Sequence, residues 1–160
     1  MKFKSIVRAA FWSFAIIYIA SSCSNFSKIS PEFEGIDERA KPYVDHIYKI
    51  GKIKGTVDDD IYNISLGFDD LPGTIVGTCR MTFFPLGQEI TIDNSYWRGA
   101  DEYGKFYIIL HEYVHCYFHR LHTEELLPDG CPSSIMYPNV VYDVCGRRHF
   151  NRYVNEALDN

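Results

Sequence analysis

The residues best suited to chemistry are two histidines and a glutamate, which the chain carries in the run HEYVH at residues 111–115. The surrounding segment, residues 103–118, is strongly apolar and predicts a helix. Residues four apart lie on one face of a helix, so His111 and His115 can both reach one zinc ion at about 2.0–2.1 Å. Glu112 adjoins the first ligand and can act as general base toward a water that zinc activates. The run therefore predicts a catalytic site with Zn2+ as cofactor.

A third protein ligand is expected, because hydrolytic zinc sites take three and keep one position open. On a straight helix His122 would lie about 10 Å beyond His115, too far for the same ion. The helix must therefore end and turn back, which needs a left-handed residue near 118–119. Histidine is enriched at positive φ, so we expect His119 to form the turn and His122 to be the ligand. The alternatives are His119 itself and the more distant carboxylates Glu124, Glu125 and Asp129.

A methionine follows the histidines in the run SSIMYP at residues 133–138. The metzincin metallopeptidases carry HExxHxxGxxH followed by a tight turn that contains a methionine, and this chain resembles them. It is also similar to a group of small bacterial and phage metzincin-like proteins with roughly HExxHCxxxRxH before Ser-Ile-Met. Cys116, Arg120 and His122 fall on that pattern. The chain lacks the glycine and carries its third histidine one residue late, and the resemblance covers about residues 74–140.

The resemblance implies an α+β fold of the small metzincin-like metallopeptidase type. In that fold a twisted, mostly antiparallel or mixed sheet has a backing helix and an active-site helix that carries HExxH. A Met-turn containing Met136 and a C-terminal helix follow. The implied activity is peptide-bond hydrolysis by an exported zinc metallopeptidase, either an endopeptidase or a related amide hydrolase.

The resemblance also implies how a substrate would be held. An extended peptide or protein segment would add to an edge of the sheet, and residues 78–84 or 89–93 would form that edge. Tyr137 would help to stabilise the oxyanion, as a tyrosine near the Met-turn does in some relatives, and a stacking or core role for Tyr137 is the alternative. We further expect Arg120 to pair with an acidic residue that fixes the turn, and Asp143 to support a zinc-bound imidazole.

Hydrophobic periodicity predicts the elements that position these residues. Residues 38–52 have the spacing of an amphipathic helix, and residues 148–158 predict a short final helix. Residues 56–66 predict a strand or a loop. Residues 74–84 and 89–93 are rich in β-branched and aromatic side chains or alternate in polarity, which predicts a hairpin.

The N-terminus has the three parts of a secretory signal, namely a basic start, a short apolar run and small residues before Cys23. The cysteine makes it resemble a bacterial lipoprotein signal, in which Cys23 is the lipidated residue. An ordinary cleaved signal and an uncleaved anchor are the alternatives. We therefore expect a signal peptide over residues 1–22, a tether over 23–33 and a single zinc-peptidase-like domain over 34–160. The product would be a monomeric lipoprotein in the periplasm or on the cell surface, held to the membrane by lipid alone, or otherwise a secreted protein.

Four cysteines remain in the expected mature chain, and an even number in an exported protein permits two disulfides. Four cysteines allow three pairings. We expect Cys79–Cys116, which would tie the sheet to the central helix, and Cys131–Cys145, which would close a short C-terminal loop. Four buried free thiols are the alternative.

Composition narrows the class of protein further. A chain of 160 residues predicts one domain, and 46% hydrophobic with 23% charged residues is ordinary for a globular protein. The formal net charge of -5 and the lack of a basic stripe argue against a nucleic-acid partner.

A second interpretation belongs to another class of protein. The chain could be a catalytically silent surface lipoprotein that keeps zinc for structure and works as a binding module. A fourth protein ligand, such as His119, would favour this interpretation, because a saturated tetrahedral site has no room for the reacting water.

Overall fold

The computed structural model describes residues 34–83, 86–139 and 144–159. The predicted signal, lipidation site Cys23, tether and Asp143 lie outside these residues. The described chain is a small α+β structure. In order, its elements are α1 (Lys41–Lys54), a 3-10 helix (Asp59–Asn63), β1 (Ile64–Asp69), β2 (Gly77–Phe83), β3 (Leu86–Asp93), α2 (Asn94–Gly99), α3 (Glu102–Phe118), α4 (Val144–Arg148) and α5 (Phe150–Leu158).

The sheet is mixed and has the strand order β1-β3-β2. The predicted hairpin is confirmed, since β2 pairs antiparallel with β3. Strand β1 pairs with the other side of β3 in parallel. Residues 89–93 therefore lie in the central strand, and the suggestion that they form a substrate-binding edge is wrong because both sides of β3 are already paired. Within the described chain, β2 is an edge strand.

Helix α3 is the central element and confirms the predicted helix. The Asp101 side chain caps its start by accepting from the Gly104 N–H at 2.9 Å. The middle of the helix is buried on all sides, and Ile109 and Val114 have no solvent exposure. Such burial is typical of a helix that packs against neighbours on several sides. It contacts β2 and β3 on one side and α1 and α5 on others. Histidines on this helix are thus held on a rigid, enclosed support.

Helix α1 follows the predicted pattern, with its boundaries shifted by a few residues. Val44, Ile47 and Gly51 are buried on one face, as the spacing of an amphipathic helix requires. Gly55 ends the helix with φ 72°. Its left-handed conformation suits glycine because no Cβ is present to clash.

Both predicted disulfides are present. Cys79 on β2 joins Cys116 on α3, with Cα atoms 5.6 Å apart. Cys131 joins Cys145, with Cα atoms 5.5 Å apart. The first bond fastens the edge strand to the central helix, and the pair is compatible with an exported protein. In the described ranges, no helix has the length and apolar character to traverse a bilayer.

Candidate metal centre

The exit of α3 is the feature that brings the third histidine back toward the first two. The helix ends at Phe118, and His119 takes the left-handed conformation with φ 55° and ψ 30°. Its N–H donates to the carbonyl of Val114, which closes the last turn. Among the described residues, His119 is the non-glycine residue with positive φ. The expected turn residue is therefore confirmed, and the chain reverses directly after it.

After this reversal three imidazoles converge. The Nε2 atoms of His111 and His115 are 3.2 Å apart, and that of His122 lies 3.2 Å from His111 and 2.9 Å from His115. His111 is buried, His115 is half-buried and His122 is exposed. The three could hold a metal ion. The cluster is anchored in the core at one end and open to solvent at the other.

Hydrogen bonds fix the tautomers of two of these rings. Nδ1 of His111 lies 2.7 Å from the carbonyl oxygen of Ile135, and Nδ1 of His115 lies 2.7 Å from that of Arg120. A carbonyl oxygen can only accept, so each Nδ1 carries the hydrogen and donates. Burial lowers the pKa of His111 to about 4 and also lowers the pKa of His115, so both rings are neutral at pH 7.

The two neutral rings therefore point Nε2 lone pairs at one another. Neither atom has a hydrogen to donate, so their 3.2 Å approach is not a hydrogen bond. A cation at the centre would satisfy both lone pairs and that of His122. This donor arrangement, with Nδ1 held by carbonyl groups, is typical of metal-binding histidines.

The predicted turn lies against this cluster. The N–H of Tyr137 donates to the carbonyl of Ser134 at 3.3 Å, and Met136 between them is fully buried. The carbonyl of Met136 accepts from the N–H of Thr123, next to His122, at 2.9 Å. The turn thus contacts both His111, through Ile135, and the returning chain. Tyr137 is half-buried and is not among the described residues that line the adjoining cleft.

The other candidates for third ligand are not part of this converging group, although His119 lines the same cleft. His119 serves as the turn residue, while the side chains of Glu124 and Glu125 are exposed. Asp129 accepts a hydrogen bond from Nε2 of His149 at 2.8 Å, and this pairing holds the pKa of Asp129 down at about 2. Cys131 lies beside them, but its sulfur is committed to a disulfide.

Glu112 lies on the side of α3 that faces the edge strand. Its side chain is buried, with 4% exposed, and burial raises its pKa to about 8. A Cβ built on Gly77 of β2 would lie 2.6 Å from Glu112 Oε1. The absence of a side chain at residue 77 therefore makes the space in which this carboxyl group sits.

Glu112 and the three histidines line one cleft of about 630 Å3. One wall is the start of β2 and the segment before it, including Val76 and Thr78, and the other is α3 with the returning chain. The three histidines, the carboxyl group and the edge strand thus share a single solvent-accessible space.

Several partners of the site residues could not be identified from the sequence. Arg120 pairs with Glu156 of α5, which confirms the expected acidic partner but from a helix near the end of the chain. The carbonyl groups of Ile135 and Arg120 leave no signal in the sequence, because every residue has one. Gly77 is one of 11 glycines, and only its contact with Glu112 distinguishes it.

Comparison with known protein families, with curated proteins and with solved structures finds no match. The likeness to metzincins is accordingly carried by the residues of this chain alone.

Proposed function

We propose that the protein is a zinc-dependent metallopeptidase of the metzincin type. His111, His115 and His122 would hold the ion, and Glu112 would be the general base. The observation that carries the proposal is the convergence of three Nε2 atoms within 3.2 Å of one another, in the cleft that also holds Glu112.

The donor set fits zinc. Ligands at 2.0–2.1 Å in a tetrahedron lie about 3.3 Å apart, close to the 2.9–3.2 Å between these nitrogen atoms. Three imidazoles leave one of four positions for solvent or substrate. The exposure of His122 and the cleft beside it support an open fourth position.

The residues of the chain divide the work of hydrolysis. Zinc, when bound, supplies a Lewis acid that activates water and polarises the scissile carbonyl. The pKa of about 8 belongs to the metal-free protein, and a cation in the cleft would favour the ionised form of Glu112. The Glu112 carboxylate then accepts a proton from the attacking water and passes it to the nitrogen of the leaving amine. The carbonyl groups of Ile135 and Arg120 keep Nε2 of His111 and His115 aimed at the centre.

Strand β2 supplies the surface for the substrate. Its described partner is β3 on one side, so its other edge can pair with an extended peptide, and residues 77–79 of the strand line the cleft. We infer a peptide or protein substrate in extended conformation. The two disulfides, and the N-terminal resemblance to a lipoprotein signal, support an exported location.

The proposal is tested by incubating the purified protein with a peptide library and identifying products by mass spectrometry. Cleavage is expected with zinc, should stop when 1,10-phenanthroline removes the metal, and should return when zinc is restored. Zinc-loaded protein that cleaves nothing would favour the binding-module interpretation. Cleavage that continues at the same rate in the presence of the chelator would contradict the zinc mechanism.

Replacement of Gly77 by alanine is expected to impair hydrolysis without affecting the metal. The new Cβ would lie 2.6 Å from Glu112 Oε1 and 3.0 Å from Glu112 Cδ, so the carboxyl group has to move. A displacement of about 1 Å can cost about 100-fold in rate, and we expect a loss of that order in kcat/KM.

Gly99→Ala is the matched control, because a Cβ there meets nothing within 4 Å. It should leave both hydrolysis and zinc content unchanged. Full activity in Gly77→Ala would mean that the position of Glu112 does not matter for catalysis.

A further inference from the structure

We propose that Glu156 on α5 is a positioning residue for the metal centre and tunes two of its imidazoles from outside the cleft. The inference rests on the proposed zinc site. Glu156 is four residues from the end of the 160-residue sequence. It is not one of the described residues that line the cleft.

The first connection leads from Glu156 to His111. The Ser134 hydroxyl donates to Glu156 Oε1 at 3.0 Å, and the Met136 N–H donates to Ser134 Oγ at 3.0 Å. The carbonyl of the same peptide group, that of Ile135, accepts from His111 Nδ1 at 2.7 Å. In this series of hydrogen bonds every donor is directed toward the Glu156 carboxylate, so the bonds polarise one another in one direction.

A second contact holds the preceding peptide group. The N–H of Ile135 lies 3.3 Å from Glu156 Oε2. Both peptide groups that flank Ile135 are thus fixed by one carboxylate, one directly and one through Ser134. Since Ser134 and Ile135 are both buried, with 5% and 1% exposed, water cannot easily replace these bonds.

The other connection leads to His115 through Arg120. The Arg120 guanidinium forms an ion pair with the Glu156 carboxylate and also donates to the Glu156 carbonyl at 3.1 Å. The Arg120 carbonyl accepts from His115 Nδ1 at 2.7 Å. The ion pair therefore fixes the residue that orients the second ligand.

One carboxylate consequently supports both carbonyl groups that set the imidazole tautomers. Many metal sites achieve this with a carboxylate bonded directly to the ligand ring. Here the carboxylate acts through a serine and a peptide group on one side and through an arginine on the other. The expected consequence is a higher metal affinity than the three imidazoles would have unsupported.

The test measures zinc dissociation constants of the full disulfide-bonded chain by competition with a chromophoric chelator. Glu156→Gln keeps the shape of the side chain but can accept hydrogen bonds at only one of its two terminal atoms. Glu156→Ala removes the carboxylate altogether. We expect zinc to bind about 10- to 100-fold more weakly in both. Ser134→Ala interrupts the path to His111 and removes a 3.4 Å contact with Arg120 Nη2, but it leaves the Arg120–Glu156 ion pair in place, so it should weaken binding less. Glu38→Gln is the control, since it makes the same charge change on a side chain that is 87% exposed.

Melting of the metal-free variants and 15N NMR of their imidazoles separate positioning from stability. In the wild type His111 and His115 should carry hydrogen on Nδ1, and Glu156→Gln should introduce the Nε2–H form of His111. Variants that melt at lower temperature yet bind zinc as the wild type does would overturn the inference while leaving the proposed function intact. A wild type that binds no zinc would instead contradict the proposed function, and this inference with it.

Discussion

Glu112→Gln is expected to lose about 100- to 10,000-fold in kcat/KM, the contribution of a positioned general base, while zinc content stays unchanged. Glutamine has nearly the same shape, but its neutral amide group is not basic enough to accept the proton that the glutamate carboxylate accepts. Glu112 does not belong to the group of three histidines that could hold the metal, so its replacement should not release zinc. Kinetics on a peptide found by library cleavage, with zinc measured on the same samples, checks both parts.

The same variant has a separate expected effect on the metal-free protein. Burial raises the pKa of Glu112 from 4.5 to about 8, so the folded state favours the neutral carboxyl group. The wild type therefore loses stability relative to Glu112→Gln as pH rises from about 4.5 to about 8, and the difference is constant outside that window. Thermal melting of the two proteins with chelator present, at a series of pH values, measures this difference.

Retention of full hydrolysis by Glu112→Gln would contradict its role as general base. A pH-independent difference in melting temperature would show that the group is solvated in the folded protein. Glu38→Gln serves as the control in both measurements because its carboxylate is exposed.

His122→Ala is expected to weaken zinc binding by more than about 100-fold, beyond the usual effect of losing an outer partner of a ligand. It removes one of three nitrogen atoms that lie within 3.2 Å of one another. Because His122 is exposed, the change should cost little folding stability. Competition with a chelator gives the affinity, and circular dichroism gives the stability.

His119→Asn is the matched control for this experiment. Asparagine tolerates the left-handed conformation that residue 119 adopts, so the helix exit is kept while an imidazole is removed. It should bind zinc as the wild type does. Loss of zinc from His119→Asn with retention in His122→Ala would mean that the third ligand has been misassigned.

The sequence predicts the parts of this structure that depend on local patterns or on a clear constraint. The long apolar run fixes α3, and β-branched alternation fixes the β2–β3 hairpin. The need to bring His122 to the same ion demanded a turn at His119, and the left-handed φ of that residue satisfies it. In each case neighbouring residues carry the information.

The remaining features depend on contacts between distant parts of the chain. Central β3 could not be distinguished from an edge, because its parallel pairing with β1 joins residues such as Leu66 and Ile90 that no local pattern connects. Glu156 reaches Ser134 only when α5 packs against the turn, so no local pattern points to the role proposed for it. Short helix α2 was not predicted; its start is capped by the Asp93 side chain, which accepts from the Tyr96 N–H at 2.7 Å.

The most direct test of the proposed zinc site is the metal coordination of the wild-type protein, purified without chelator. Elemental analysis combined with zinc X-ray absorption should find one zinc per chain with three imidazole nitrogens and one oxygen at about 2.0–2.1 Å. That result would establish a three-histidine centre with an open position. A protein without zinc, or a zinc ion closed by a fourth protein ligand, would contradict the account.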